Sequence, residues 1–336
     1  MKKLITLTAL VLCQQFAAAP AVLAQASAGQ AAGRTKPSPL APSEIVAAAP
    51  KGDWSAIPVS DLLVMDLAPD AKGRSRRVVI QLMPPPFSQG WIGNIRKLAA
   101  AHWWDGMSIN RVQDNYVVQW GDANADDKAK AKALPAGLVT VPEKQYSVPA
   151  VGVPLVRDPA RGLLYNHGLI ADQDAYSITQ FWHGWPLGRS AEIGPHQQNW
   201  PVHCYGMVGV GRDLSPNTGS GAELYVVIGH APRHLDRNIA LVGRVIEGIE
   251  FLSSLPRGHG GLGFYDLAQG DERVTITAIR PGAEVAGLPA YEYLSTENAS
   301  FAKYADARAN RRDPFFIRPA GGADICNIPV PVRRVK

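Results

Sequence analysis

The sequence predicts a mostly β protein built around an antiparallel barrel of eight strands that two helices cap. Eight short runs rich in Val, Ile and Leu have the composition of strands, and two segments carry apolar residues at helical spacing. The 32 glycines and 27 prolines are spread along the chain, as in proteins with many turns. Closure into a barrel removes the exposed edges that an open sheet would leave.

The eight runs and two helical segments define the expected barrel. The strand-like runs are 62–67, 77–82, 107–112, 116–120, 207–211, 224–228, 240–245 and 274–279. Gly73 marks the turn between the first two runs. The first helix, about 90–101, rests on Trp91, Ile92, Ile95 and Leu98. The second rests on Ile246, Ile249 and Leu252, before Pro256.

The N-terminal residues have the pattern of a secretory signal peptide at 1–24. Lys2 and Lys3 precede an apolar run at 4–12, and small residues precede Gln25. Residues 25–50 are rich in Ala, Pro, Ser and Gly, a composition typical of a disordered linker. We therefore expect an exported, periplasmic protein. Its main domain would span 51–286, with a loop-rich insert at 123–200, and an irregular C-terminal extension at 287–336 would pack on it.

Charge and hydropathy exclude two classes of partner. The formal net charge is +5, but Lys2 and Lys3 belong to the leader, so the surplus does not indicate nucleic-acid binding. After the leader, no apolar run approaches the roughly 20 residues of a membrane helix, which predicts no stable membrane insertion. We expect a monomer.

Two cysteines, Cys204 and Cys326, remain after the leader. An oxidising compartment permits a disulfide, which would tie the C-terminal extension to the start of the strand at Met207. The alternative is two separately buried thiols, since a free cysteine behaves as a small apolar residue.

Three sequence blocks resemble the cyclophilin family of peptidyl-prolyl cis/trans isomerases. NRVQDNYVVQWGD, residues 110–122, is similar to the family signature, with its Arg, a later aromatic residue, a Gln and a closing Gly-Asp. The blocks at 77–99 and 219–248 resemble the first helix region and the later stretch that holds the proline pocket. The resemblance covers about 62–279 and is interrupted by the insert. It implies a cyclophilin-like barrel and isomerase activity on X-Pro bonds.

The resemblance also implies roles for individual residues. The barrier to X-Pro rotation is near 20 kcal/mol, held up by amide resonance. Arg111 matches the Arg that donates to the prolyl nitrogen in the twisted state, and Gln119 matches the Gln that holds the Arg and the substrate backbone. The matching pocket positions are Tyr116, Val117, Tyr225 and Leu235. Ordinary barrel core is the alternative reading for these apolar positions and for Gln119.

Several positions depart from the family pattern. Glu223 replaces a Gln that binds substrate backbone, His234 stands where an aromatic residue often lines the pocket, and Ile239 replaces a His. Glu223 could accept a bond from substrate or compete for Arg111. Two functions therefore remain open: an isomerase that acts on proline-containing unfolded or exported polypeptides, and a binding module of the same fold that recognises an envelope partner.

Other polar motifs carry less information. His230, His234 and Asp236 fall in a turn where the family uses a loop, so we predict neither a metal nor a cofactor. The glycine-rich run 258–263 lacks the preceding strand and following helix of a phosphate loop, and we interpret it as a surface turn. The aromatic and His-rich stretch 181–200 is either a partner site or, as we favour, a local minicore under the insert.

Overall fold

The structure is a computed structural model that describes residues 38–151, 156–157, 164–166, 169–171, 174–190 and 196–335. One compact unit spans Pro39–Lys336. The predicted signal peptide, residues 1–24, and residues 25–37 of the predicted linker lie outside the described residues.

Four helices and eighteen strands lie within the described residues. The helices are α1 Pro42–Ala48, α2 Gln89–Ala100, α3 Glu250–Ser253 and α4 Ala299–Ala309. The strands are β1 Trp54–Ile57, β2 Leu62–Leu67, β3 Arg76–Leu82, β4 Ser108–Val112, β5 Val117–Gly121, β6 Val148–Pro149, β7 Val156–Arg157, β8 Leu164–Asn166, β9 Leu169–Ala171, β10 Ile178–Trp182, β11 Trp185–Arg189, β12 Gln198–Pro201, β13 Met207–Val210, β14 Leu224–Val227, β15 Leu241–Glu247, β16 Ile276–Pro281, β17 Tyr291–Leu294 and β18 Val332–Arg334.

The central sheet is a nearly closed antiparallel barrel. Its eight strands follow the order β16-β2-β3-β15-β13-β14-β5-β4. The two edge strands also meet, since Ser108 bridges Thr275 and the Ile276 amide donates to the Met107 carbonyl at 2.7 Å. These eight strands coincide with the eight predicted runs to within a few residues. The predicted mostly β barrel is therefore confirmed.

Alternation along the strands separates a core-facing side from an outer side. In β5, Val118 and Trp120 point into the main core, and in β14 Leu224 and Val226 do the same. Helix α2 covers this core with an apolar face. The buried residues of that face are Trp91, Ile92, Ile95, Leu98 and Ala99. The spacing that predicted this helix is thus the spacing that buries it.

The second predicted helix is present but much shorter than expected. Strand β15 continues through Ile246 to Glu247, which pairs with Val79. The chain then turns at Gly248, whose φ is +84°, and only the four residues of α3 are helical. Pairing of Val245 and Glu247 with β3 therefore keeps Ile246 in the strand, at a bulge, and the helix begins only after Ile249.

The insert has more regular structure than its sequence predicted. Strands β10, β11, β12 and β6 form a four-stranded sheet. A two-residue turn, His183-Gly184, joins β10 to β11, and both residues have positive φ, as tight hairpins require. Trp185 and Trp200 are buried in the main core. The expected minicore is thus continuous with the barrel core rather than local.

The two ends of the described chain pack together. Strand β17 pairs with both β1 and β18, and Phe301 and Tyr304 of α4 form a small core with Trp54. Helix α1 lies inside the predicted linker 25–50, so regular structure begins earlier than expected. Apolar Ile45 and Val46 of α1 pack on this small core and account for the difference.

The predicted disulfide is confirmed. The Cys204 and Cys326 sulfurs are bonded, and their Cα atoms are 5.0 Å apart. Ile325, beside Cys326, is buried in the main core. Phe315 and Ile317 of the same extension are by contrast 85% and 95% exposed. Among the described residues, no helix is both long and apolar enough to cross a membrane.

Candidate active site

The signature residues meet on the outer side of three neighbouring strands. Arg111 in β4 lies opposite Gln119 in β5, and Gln119 lies opposite Tyr225 in β14. Directly opposed residues of antiparallel strands project to the same side. Val117 and Val227 share that side, because side chains two residues apart on a strand point the same way. The fold thus brings together residues that lie more than a hundred positions apart.

Arg111 is half-buried and held by three acceptors. Its Nη1 donates to Gln119 Oε1 at 3.2 Å, its Nε to the Leu262 carbonyl at 2.7 Å, and its Nη2 to Gln113 Oε1. Its guanidinium carbon lies 5.6 Å from the Tyr116 ring centroid and 5.4 Å from that of Phe264. Burial lowers the pKa of Arg111, and a guanidinium in this setting keeps its charge.

Glu223 lies beside Gln119 rather than on the arginine. Its Oε1 accepts from the Asp122 amide at 2.8 Å, and Gln119 also donates to its carboxylate. The carboxylate packs directly on Gly121, where an added Cβ would lie 2.0 Å from Oε1. Burial raises the pKa of Glu223 to about 7, against the opposing bonds from Asp122 and Gln119. The departure from the family pattern therefore places a titrating carboxylate near Arg111, with the Gln119 side chain between them.

The apolar part of the site is a small cluster separate from the main core. Val117, Tyr225 and Val227 are buried in it, and Tyr116 and Ile239 pack on it. Of the other residues predicted to line the pocket, exposed His234 stacks on Tyr116 with ring centroids 6.4 Å apart. Leu235 follows in the same short 3₁₀ turn and is half-buried.

The glycine-rich run 258–263 is a surface turn, as predicted, but it also completes the site. The Gly258 amide donates to Val112 and the Tyr265 amide donates to Asn110, so the turn is fixed along β4. This backbone pairing places Leu262 and Phe264 against the arginine. Sequence reasoning missed both residues, because nothing in a glycine-rich run specifies which strand it will follow.

A buried polar chain leads away from the apolar cluster, and the sequence analysis missed it. The Tyr225 hydroxyl lies 2.8 Å from His203 Nε2, and His203 Nδ1 lies 2.9 Å from Asp236 Oδ1. Asp236 Oδ2 accepts from Arg233 Nε at 2.6 Å, and Arg233 Nη1 donates to Asp174 of the insert. His203 is fully buried.

Asp236, beside the 3₁₀ turn that holds His234, is bonded to neighbouring side chains. Both carboxylate oxygens of Asp236 accept hydrogen bonds, from His203 and from Arg233. Within the described residues, no group of three or more His, Cys, Asp or Glu side chains is placed to hold a metal ion.

Comparison with known proteins places this geometry in a family. The family model for cyclophilin type peptidyl-prolyl cis-trans isomerase/CLD matches residues 90–278, which is more than half of the chain. A search of curated proteins found no match. Solved structures were compared by fold. The crystal structure of the cyclophilin AquaCyp293 from Hirschia baltica superimposes with a TM-score of 0.59 at 19% identity, covering 84% of this chain and 94% of that one.

Two structures of a cyclophilin type peptidyl-prolyl cis-trans isomerase from Cryptosporidium parvum also align. Their TM-score is 0.35, at 12% and 11% identity, with 65% of this chain and 96% and 98% of theirs covered. One of them was determined in the presence of the dipeptide Ala-Pro. Likeness at this level does not bear on the fold. The family match and the superposition on the Hirschia protein together show that the chain belongs to the cyclophilin-type peptidyl-prolyl cis/trans isomerase family.

Proposed function

We propose that the protein is an active peptidyl-prolyl cis/trans isomerase that assists the folding of exported polypeptides. The observation that carries the proposal is the placement of the Arg111 guanidinium. Gln119 holds it on the same side of the sheet as the apolar cluster of Val117, Tyr225 and Val227. A fixed cation beside an apolar surface is the combination that rotation of a prolyl bond needs.

Rotation breaks the resonance of the X-Pro amide, and the lone pair returns to the prolyl nitrogen as the bond twists. A hydrogen bond to that nitrogen is stronger in the twisted state than in the planar ground state, and this difference accelerates the reaction. Arg111 supplies the donor. An acceleration on the order of a hundred-thousand-fold corresponds to roughly 7 kcal/mol of differential stabilisation.

The guanidinium has donors left for this task. An arginine carries five N–H groups in a fixed fork. Three of the five are directed at Leu262, Gln119 and Gln113. The remaining N–H groups of Nη1 and Nη2 have no acceptor among the described residues and are available to substrate. The three occupied donors prevent the side chain from changing rotamer, so little ordering is required when substrate binds.

The apolar cluster supplies the proline pocket. A pocket that selects proline needs a preformed apolar floor and a few polar groups that fix orientation. Val117 and Tyr225 form this floor, with Tyr116, His234 and Leu235 near its edge. In the isomerase, Gln119 and Glu223 are the polar groups beside the arginine that we propose hydrogen-bond the substrate backbone.

The proposed clients are proline-containing unfolded or exported polypeptides, and the proposed location is the periplasm. Two features of the chain support export: the leader-like pattern of residues 1–24 and the Cys204–Cys326 disulfide, a bond that persists in oxidising compartments. We propose that the protein acts as a monomer.

Cis-to-trans isomerisation of a short X-Pro peptide, coupled to a protease that cleaves only the trans form, tests the proposal. The wild type should accelerate the reaction above background, and Arg111→Ala should lose about 100-fold or more in kcat/KM, as for other electrostatic donors. Arg111→Lys keeps the charge but loses the fork, and it should recover only part of the rate.

Arg74→Ala, which removes an exposed arginine paired with Asp70, is the matched control and should leave the rate unchanged. A wild type no faster than background, or an Arg111→Ala variant as fast as wild type, would refute the isomerase.

A binding module remains the second candidate, and Glu223 is the observation that favours it. The Glu223 carboxylate competes with substrate for Gln119, the residue that holds Arg111. Titration calorimetry with an X-Pro peptide separates the two functions. Peptide binding by a wild type that shows no turnover would establish the module.

A further inference from the structure

We propose that His203 is a positioning residue of the proline pocket, which orients the Tyr225 ring through its hydroxyl and is itself held by a buried chain that ends on the insert. The inference rests on the proposed isomerase function, because it assigns Tyr225 to the pocket floor. Its basis is the unbroken contact from Tyr225 through His203 and Asp236 to Arg233.

The ring of Tyr225 is closely packed, and its hydroxyl is the group that needs a hydrogen-bond partner. Its hydroxyl end lies against Gly209 of β13, where an added Cβ would be 2.3 Å from the ring and from the hydroxyl oxygen. Its plane is nearly parallel to that of His203, at 8°, and with 6.3 Å between ring centroids the two rings meet end to end through their hydrogen bond. Tyr225 is 4% exposed, so its hydroxyl would lack a partner without His203, and an unpaired buried hydroxyl is destabilising.

The hydrogen-bond pattern fixes which nitrogen of His203 carries the proton. The Asp236 carboxylate can only accept, so His203 Nδ1 donates to it. Nε2 is then free to accept from the Tyr225 hydroxyl in the neutral ring. Burial lowers the pKa of His203, although the bond to Asp236 acts in the opposite direction. The neutral ring directs the tyrosine proton toward the histidine, and the pocket face of Tyr225 stays apolar.

Asp236 is held in turn by segments outside the barrel strands. Arg233 binds Asp236 Oδ2 through Nε, and its Nη1 and Nη2 contact Asp174 and Ser177 of the insert. Asp324 of the C-terminal extension lies 3.5 Å from Arg233 Nη1. One guanidinium therefore ties the insert and the extension to the histidine behind the pocket. This arrangement makes the insert part of the active-site construction.

A double-mutant cycle on the full-length, oxidised protein tests the inference. His203→Leu removes the acceptor and should lower kcat/KM for an X-Pro peptide about tenfold, mostly through KM, since a misplaced pocket floor weakens binding. Tyr225→Phe removes the hydroxyl and keeps the ring, so it should lose about threefold in kcat/KM, less than His203→Leu. The double variant should match Tyr225→Phe, because the hydroxyl that needs His203 is gone.

His203→Gln is the conservative variant, since its amide oxygen can still accept from Tyr225, and its KM should be close to that of wild type. A role limited to stability would lower the unfolding midpoint of His203→Leu and leave KM unchanged. That result would overturn the inference and leave the isomerase proposal standing. The same holds if His203→Leu causes an equally large loss with and without the Tyr225→Phe substitution. Absence of turnover in the wild type would overturn both.

Nitrogen NMR of the His203 ring in wild type tests the same arrangement without any substitution. The expected tautomer carries its proton on Nδ1 and leaves Nε2 unprotonated near neutral pH. A proton on Nε2 would overturn the inference, whether or not His203→Leu folds.

Discussion

The two sides of the candidate active site are built in different ways. On the Arg111 side, Arg111 and Gln119 come from one hairpin and are eight residues apart, the turn at 258–263 adds one distant acceptor, and the side is half-exposed. The Tyr225 side is assembled from His203, Asp236 and Asp174, which come from separate parts of the chain, and its hydrogen bonds are buried. A local hairpin thus supplies the proposed catalytic donor, whereas long-range packing supplies the support behind the proposed pocket.

This difference predicts separable consequences of mutation. Changes on the Arg111 side should alter the rate and leave stability almost unchanged, because solvent can replace the lost contacts. Changes on the Tyr225 side should lower stability first, because a buried charge or hydroxyl left without its partner is destabilising.

The largest effect on stability is expected for Arg233→Met. The substitution leaves the Asp236 and Asp174 carboxylates buried without the guanidinium that joins them. The free energy of unfolding should fall by about 4 kcal/mol, in the range found when one partner of a buried ion pair is removed. Urea unfolding of the oxidised protein measures it.

Arg74→Met is the matched control, since Arg74 belongs to an exposed pair with Asp70. Its free energy of unfolding should change by less than about 1 kcal/mol. Equal stability of the two variants would show that the buried chain behind Tyr225 contributes no more than an exposed ion pair.

Loss of the disulfide should have the next largest effect. Cys204 precedes the barrel strand β13, and Cys326 lies 122 residues later in the extension. The variant with both cysteines changed to Ser should unfold with about 3 kcal/mol less free energy, because the bond restricts the unfolded chain. Wild type treated with dithiothreitol should be as stable as this variant. Dithiothreitol should not change the stability of the variant itself. A reduced wild type as stable as the oxidised one would contradict the prediction.

The smallest effect is a pH dependence due to Glu223. Its native pKa of about 7 lies above its usual value of 4.5. Between these values the native state holds a proton that the unfolded state has released, so stability falls as pH rises through this window. Glu223→Gln lacks this titration, and its stability relative to wild type should rise across the window by about 1–2 kcal/mol, since partial exposure screens the charge.

Asp70→Asn serves as the control for this titration. The hydrogen bonds from the backbone and side chain of Arg74 lower the pKa of Asp70 below its usual value of 3.8. Its contribution is therefore complete above that value, and the difference between Asp70→Asn and wild type should stay constant from about pH 5 to about pH 8. The Glu223 assignment would be wrong if Glu223→Gln behaved in the same way.

The sequence by itself determined the barrel strands, helix α2 and the pairing of Arg111 with Gln119. Alternation in β5 separates Val118 and Trp120 from Val117 and Gln119, and this local pattern can be read from the sequence. Signature residues such as Arg111 and Gln119 are also close along the chain. Pairing of β4 with β5 is therefore enough to bring them together.

Only the tertiary structure decided the end of β15, the sheet of the insert and the support behind Tyr225. Pairing of its neighbours with β3 keeps Ile246 in a strand, and a two-residue turn at His183 joins the strands of a hairpin in a segment without clear periodicity. His203 carries no local sign of its role, because its partners Tyr225 and Asp236 are 22 and 33 residues away. Which buried polar groups become neighbours depends on the packing of the whole chain, and a buried hydroxyl or carboxylate must find its partner there.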